Sequence, residues 1–197
     1  MKSHDFSDPY VGLADGSSDV AFVRPPLLAE DWLGLETLFV EPRVMVTSDR
    51  SLLAGAAEVS IEQVLAYPFV ARKAPEFWRD YWLADESRGG IAARLGAEVR
   101  TVDECFEAIQ SGRGVAFSQA STARFYARPG LSFVPVSDIP ATVLSIAWRT
   151  DEPNDLVRDF VDIARSLAVV TSIPQTLTQV ETESWTVNQT RSIQLAS

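Results

Sequence analysis

The sequence predicts an α/β fold, and three observations carry that reading. Short apolar strands alternate with amphipathic helical segments along the chain. Prolines and glycines stop most of the strands. Two capping boxes, at Ser60 and at Thr101, mark helix starts between them.

Taken in order, Asp8 to Gly16 reads as a short helix. Asp8 can accept from the first free N–H groups, Pro9 suits the first turn and Gly16 suits the position after the last. Asp19-Val20-Ala21-Phe22-Val23 is a strand stopped by Pro25-Pro26. Its unbroken apolar run suggests burial on both faces, as in a parallel sheet. Leu35–Val40 and Val44–Thr47 are two further strands separated by Pro42. Ser60-Ile61-Glu62-Gln63 caps a helix reaching about Ala66, and Pro68 to Ala71 is the next strand.

Pro75 opens a helix with Phe77, Trp78, Tyr81 and Trp82 on one face, which Gly89-Gly90 interrupts. Ile91 to Leu95 continues as another turn of helix. Thr101 caps a helix with Val102, Cys105, Phe106 and Ile109 as its apolar stripe and Gly112 as its stop. Val115–Phe117, Leu131–Val136 and Val143–Trp148 are strands. Pro153 opens a last helix, with Leu156, Phe160, Ile163, Ala164 and Leu167 inward. Residues 171–197 read as a polar, loosely ordered tail. The sheets are expected to be mainly parallel.

Composition narrows the function. The chain has 197 residues, 46% hydrophobic and 22% charged, enough for one domain or two small lobes. No apolar run is long enough to cross a bilayer, and Met1 to Asp5 lacks the apolar core of a signal peptide, so a cytoplasmic protein is expected. The single cysteine, Cys105, and single histidine, His4, leave little for a metal site or a catalytic triad. Neither a metal nor a cofactor is expected. The net charge is -10 with two lysines, Lys2 and Lys73, and arginines that are scattered. Unaided DNA binding needs a basic face, so this chain is not expected to show it. No dinucleotide fingerprint, phosphate loop or nucleophile elbow is present, and no catalytic residue is assigned.

Three stretches together resemble the effector-binding domain of LysR-type transcriptional regulators. Gly16-Ser17-Ser18-Asp19 through Arg24 is similar to that family's "G-x-x-D, strand, Arg" segment. Glu36 to Val70 is similar to its strand pair, "V-S-L-x-x-L" helix and "P-hydrophobic" strand, with Asp49-Arg50-Ser51 standing where His-Pro is common. Gly112-Arg113-Gly114 through Ser118 is similar to its "G-x-G, strand, P-x-S", with Ser118-Gln119 where Pro is usual. The order continues through Phe133–Val136 and Ala147–Arg149, so the resemblance covers roughly residues 5–167.

The resemblance implies a fold like that of type 2 periplasmic binding proteins, with two α/β lobes and an effector between them. It places residues 1–67 and 141–170 in the first lobe and 68–140 in the second. It also implies a domain lacking its usual first strand, helix and strand, so that the first lobe is incomplete.

Candidate contacts to the effector follow. Arg24 ends a strand where ligands of open α/β sheets bind, and its guanidinium can grip a carboxylate with two hydrogen bonds; equally, it can pair with Asp19 or Glu30. Thr101 caps a helix whose free N–H groups, including that of Val102, favour an anion; plain capping explains the same pattern. Arg72 and Lys73 read from the residues as a solvated pair of positive charges, while the resemblance places them, with Ser118, facing the cleft. The aromatic stripe 77–82 is either core or a wall for a ring-bearing ligand. Cys105 reads as an inert core thiol.

The function expected is that of an effector-binding domain holding a small carboxylate between its lobes, without its own DNA-binding segment. A solute-binding protein of the same architecture, or a fragment of a truncated regulator, are the competing readings. Self-association is expected, because the strand at 19–23 would lack a neighbour.

Overall fold

The computed structural model describes residues 4–151 and 154–170, so the expected tail at 171–197 lies outside the described residues. The elements in order are β1 (Val20–Val23), β2 (Leu33–Glu41), β3 (Arg43–Ser48), α1 (Ile61–Leu65), β4 (Phe69–Arg72), α2 (Glu76–Trp82), β5 (Leu95–Val99), α3 (Val102–Gln110), β6 (Ala116–Gln119), α4 (Ser121–Phe125), β7 (Leu131–Pro135), β8 (Thr142–Arg149) and α5 (Asp155–Val170).

They build two separate groups of layers. In the first, β8 lies between β1 and β2 and is antiparallel to both. α5 covers one face, where Ile146 packs against Val161 and Ala164. The turns at 8–18 cover the other, where Leu13 meets Ala21, Val23 and Ala147. In the second, β3 lies between β6 and β7, again antiparallel, and β4 pairs with β5 in parallel. Backbone bonds from Val115 to Pro68 and from Val70 to Val115 join these two pieces. The chain passes between the groups at Pro42 and again between β7 and β8.

Several expectations are corrected here. The sheets are mostly antiparallel, because β8 and the pair β6, β7 return against the strands they join; a run of apolar residues does not encode strand direction. β1 is not buried on both faces, since Phe22 is 46% exposed. A lobe boundary at 67/68 does not coincide with the hydrogen bonding. β3 pairs with β6 and β7, and Val59 and Val64 sit in one core with Phe69, Phe117 and Val134.

The span 8–16 forms successive turns rather than a helix. Val11 and Gly12 both take left-handed φ values, 57° and 83°, which no α-helix accommodates. Gly12 is required there, because a side chain would meet Ser17, Ser18 and His4 within 2.9 Å. Asp8 still holds the turn, accepting from Tyr10 N at 3.1 Å and Gly12 N at 2.7 Å.

Residues 91–94 are not helical, and Leu95 already starts β5. At Gly96 a Cβ would lie 1.7 Å from the Arg113 carbonyl oxygen, so the strand passes the G-x-G loop too closely for any other residue. α5 is turned relative to the expected face. Of the residues expected inward, Ala164 is buried, together with Val161 and Ala168, whereas Leu156 is 77% exposed and Phe160, Ile163 and Leu167 are exposed too.

The caps match their signals. Ser60 and Gln63 bond reciprocally at the start of α1. Thr101 accepts from Glu104 N, while Glu104 reaches back one residue further, to Arg100 N. Among the described residues no helix is long and apolar enough to cross a membrane.

Candidate functional site

A cavity of about 810 Å³ opens between the two groups of layers, a volume typical of small-molecule sites. The end of β1 forms one wall. Opposite it stand Arg72 of β4, Trp78 and Trp82 of α2, the first turns of α3 and the strand β6. Arg24, Arg72, Val102 and Ser118, four of the five residues singled out from the sequence, line it together. Thr101 does not belong to this wall; it is exposed, with its hydroxyl engaged as the α3 cap. Lys73 is likewise exposed.

Arg72 closes β4, a strand buried along its whole length. It is 8% exposed. Its Nη2 donates to the Phe117 carbonyl oxygen at 3.0 Å. Its guanidinium stacks 4.1 Å from the Trp82 ring centre, with Phe6 at 5.1 Å and Trp78 at 5.7 Å. Its Nε has no hydrogen-bond partner, and no carboxylate pairs with it among the described residues. Burial pushes its pKa down to about 10; the Cys105 thiol opposes this, and the charges of Arg43 and then Arg24 push down more weakly. The group stays charged at neutral pH, buried beside two other cations. A unit anion about 4 Å away would gain about 4 kcal/mol at the effective dielectric of such sites.

Arg24 stands differently from its expected role. Its Nη2 donates to Glu41 Oε1 at 2.8 Å, so a carboxylate already holds it. The partner is neither Asp19 nor Glu30 but the last residue of β2. Glu41 Oε2 in turn accepts from Ser121 N at 2.8 Å. The Arg24 carbonyl accepts from Trp78 Nε1 at 2.8 Å, which ties β1 to α2 across the cavity.

Ser118 is buried, with its hydroxyl 2.8 Å from that of Thr122 and 3.2 Å from Gln119 Oε1. Val102 supplies an apolar edge. Of the aromatic stripe, Trp78 and Trp82 face the cavity. Tyr81 instead receives Arg43, whose guanidinium lies 4.0 Å from its ring centre and donates to its carbonyl oxygen at 2.9 Å. Cys105 lines the cavity too, and burial pushes its thiol pKa up, so it remains protonated.

Phe6, Glu41 and Arg43 were not singled out from the sequence. Arg43 carries a legible signal, a lone charge opening an otherwise apolar strand. Among the described residues no group of three His, Cys, Asp or Glu side chains could hold a metal.

Two groups of α/β layers around one cavity define a two-lobed small-molecule-binding domain. The family model described as the LysR substrate binding domain matches residues 2–168. The chain belongs to that family.

Solved structures agree on the fold. The regulatory domain of Synechocystis PCC6803 CcmR, in complex with 2-PG, is 18% identical with a TM-score of 0.65, over 82% of this chain and 79% of that one. The BenM effector binding domain with its effector benzoate is 19% identical with a TM-score of 0.64, over 86% and 79%. HinK, a LysR family transcriptional regulator from Pseudomonas aeruginosa, is 18% identical with a TM-score of 0.63, over 80% of this chain and 55% of its own. The chain thus spans about half of that regulator's length. Among curated proteins none matches the sequence.

Proposed function

We propose that this chain is the effector-binding domain of a cytoplasmic LysR-type transcriptional regulator, and that it takes a small organic acid between its lobes. The observation that carries this reading is Arg72, a buried guanidinium on the cavity wall with, among the described residues, an unpartnered Nε and no carboxylate. A buried charge is costly until it is paired, so an anionic ligand completes the site. Arg72 anchors the carboxylate; Val102, Trp78 and Trp82 flank the body of the ligand; Ser118 and Arg24 add polar contacts. We assign residues 4–41 with 142–170 to one lobe and 43–136 to the other.

Relatives that hold 2-PG and benzoate support a small-molecule role. The domain turns over no substrate and does not bind DNA unaided, given its net charge of -10. Thermal denaturation with benzoate and with benzamide separates charge from shape. Benzoate is expected to raise the melting temperature and benzamide to leave it unchanged. Equal shifts would overturn the reading.

The domain is also proposed to self-associate along the unpaired edge of β1. Among the described residues β1 pairs on one side alone, and Phe22 at its centre is 46% exposed. Sedimentation across a range of concentrations is expected to show a dimer, and a monomer throughout would contradict this.

A further inference from the structure

A buried carboxylate presets the charge of the cleft. Glu41 ends β2 just before the chain crosses between lobes, and its side chain is buried. Both of its oxygens are engaged, one by Arg24 and the other by the Ser121 amide. Arg24 and Arg72 both line the cavity, yet only Arg24 has a carboxylate beside it. Arg43 is held by Tyr81 and is not on the wall. Among the described residues, Arg72 is thus the wall arginine that no carboxylate compensates. The acids on the wall, Asp5, Asp8 and Asp19, add repulsion for any surplus negative charge.

Resting on the reading of this cleft as an organic-acid site, we propose that Glu41 is a specificity-determining residue that restricts the cleft to monoanions. A second carboxylate on the ligand would meet either Glu41 itself, at the Arg24 guanidinium, or the apolar wall of Val23, Phe6 and Trp78. The first is like-charge repulsion and the second is dehydration without compensation. Removing the Glu41 charge turns Arg24 into a second carboxylate anchor, with Nη1 already lacking a partner.

Calorimetric titration of the full chain with benzoate against isophthalate, and butanoate against succinate, tests this in the wild type and in Glu41→Gln. The wild type is expected to bind each monoanion at least about tenfold tighter than its dianion. Glu41→Gln is expected to erase that ratio by raising affinity for the dianions. The double variant Arg24→Gln/Glu41→Gln removes both charges and is expected to keep the monoanion preference. Should Glu41→Gln not fold, Arg24→Gln alone leaves the Glu41 charge bare and is expected to weaken all four acids, the dianions most. Equal affinities in the wild type, or an unchanged ratio in Glu41→Gln, would overturn the role of Glu41 while leaving the organic-acid site standing. Failure of all four acids to bind the wild type would overturn the site itself.

Discussion

Replacing Arg72 by methionine is expected to make the protein more stable while abolishing acid binding. Arg72 is 8% exposed, has no carboxylate partner among the described residues and lies near Arg24 and Arg43. Even a buried ion pair is often replaced by apolar residues at no cost or with a gain of about 1–4 kcal/mol, and a lone buried charge has no partner to offset its dehydration. The methionine thioether can keep the contact with Trp82 that the guanidinium makes at 4.1 Å. The bond from this charged donor to the Phe117 carbonyl is lost, at a cost of about 1.5–3 kcal/mol that offsets part of the gain.

The pH dependence has a definite sign. The folded pKa of Arg72, about 10, lies below the ordinary guanidinium value, so the group subtracts from stability at neutral pH. That loss is recovered as pH rises above about 10 in the wild type and is missing in Arg72→Met. Urea denaturation is expected to show the variant more stable at neutral pH, and benzoate affinity is expected to fall at least about a hundredfold, or about 2.7 kcal/mol. A destabilised variant that binds benzoate normally would contradict both claims.

Phe117→Ala is expected to be the most damaging single change in the core, costing about 3–5 kcal/mol. Phe117 is 0% exposed, and its ring centre lies 5.3 Å from that of Phe69 in a tilted pair. It belongs to the cluster of Met45, Val64, Leu83 and Val134, which joins β3, β6, β7 and α1. The same residue lines the cavity and its carbonyl holds Arg72. The substitution therefore removes packing and loosens the anion anchor together. Chemical denaturation measures the first and benzoate titration the second. A loss below about 1 kcal/mol would show that the cluster does not carry the lobe.

Much of this was legible in the sequence because it is local. Ser60 with Gln63, and Thr101 with Glu104, announce their helices through bonds spanning three residues. Pro25 and Pro42 mark where strands stop. What was misread depends on distant partners. α5 carries two apolar stripes, one of Leu156, Phe160 and Ile163 and one of Val157, Val161, Ala164 and Ala168. The larger residues draw the expected face toward the first, with Ala164 alone shared; the smaller stripe allows close approach to Ile146 on the sheet. Strand direction is likewise invisible in an apolar run, as β1 and β8 show.

The site followed the same division. Arg24 and Val102 stand on the cavity wall, where a strand end and a helix start suggest them, and Arg72 and Ser118 stand there as the family resemblance implies. The pairing of Arg24 with Glu41, and the aromatic stacking that leaves Arg72 without a carboxylate, join residues far apart in the chain. These pairings are why the proposed anion anchor is Arg72 rather than Arg24.

The most direct test of the central claim is a crystal structure of the chain grown with benzoate. The carboxylate is expected between the lobes, within hydrogen-bond distance of Arg72 Nε, with its ring against Trp78 and Val102. Benzoate bound outside this cleft, or within it with the carboxylate turned away from Arg72, would contradict the account.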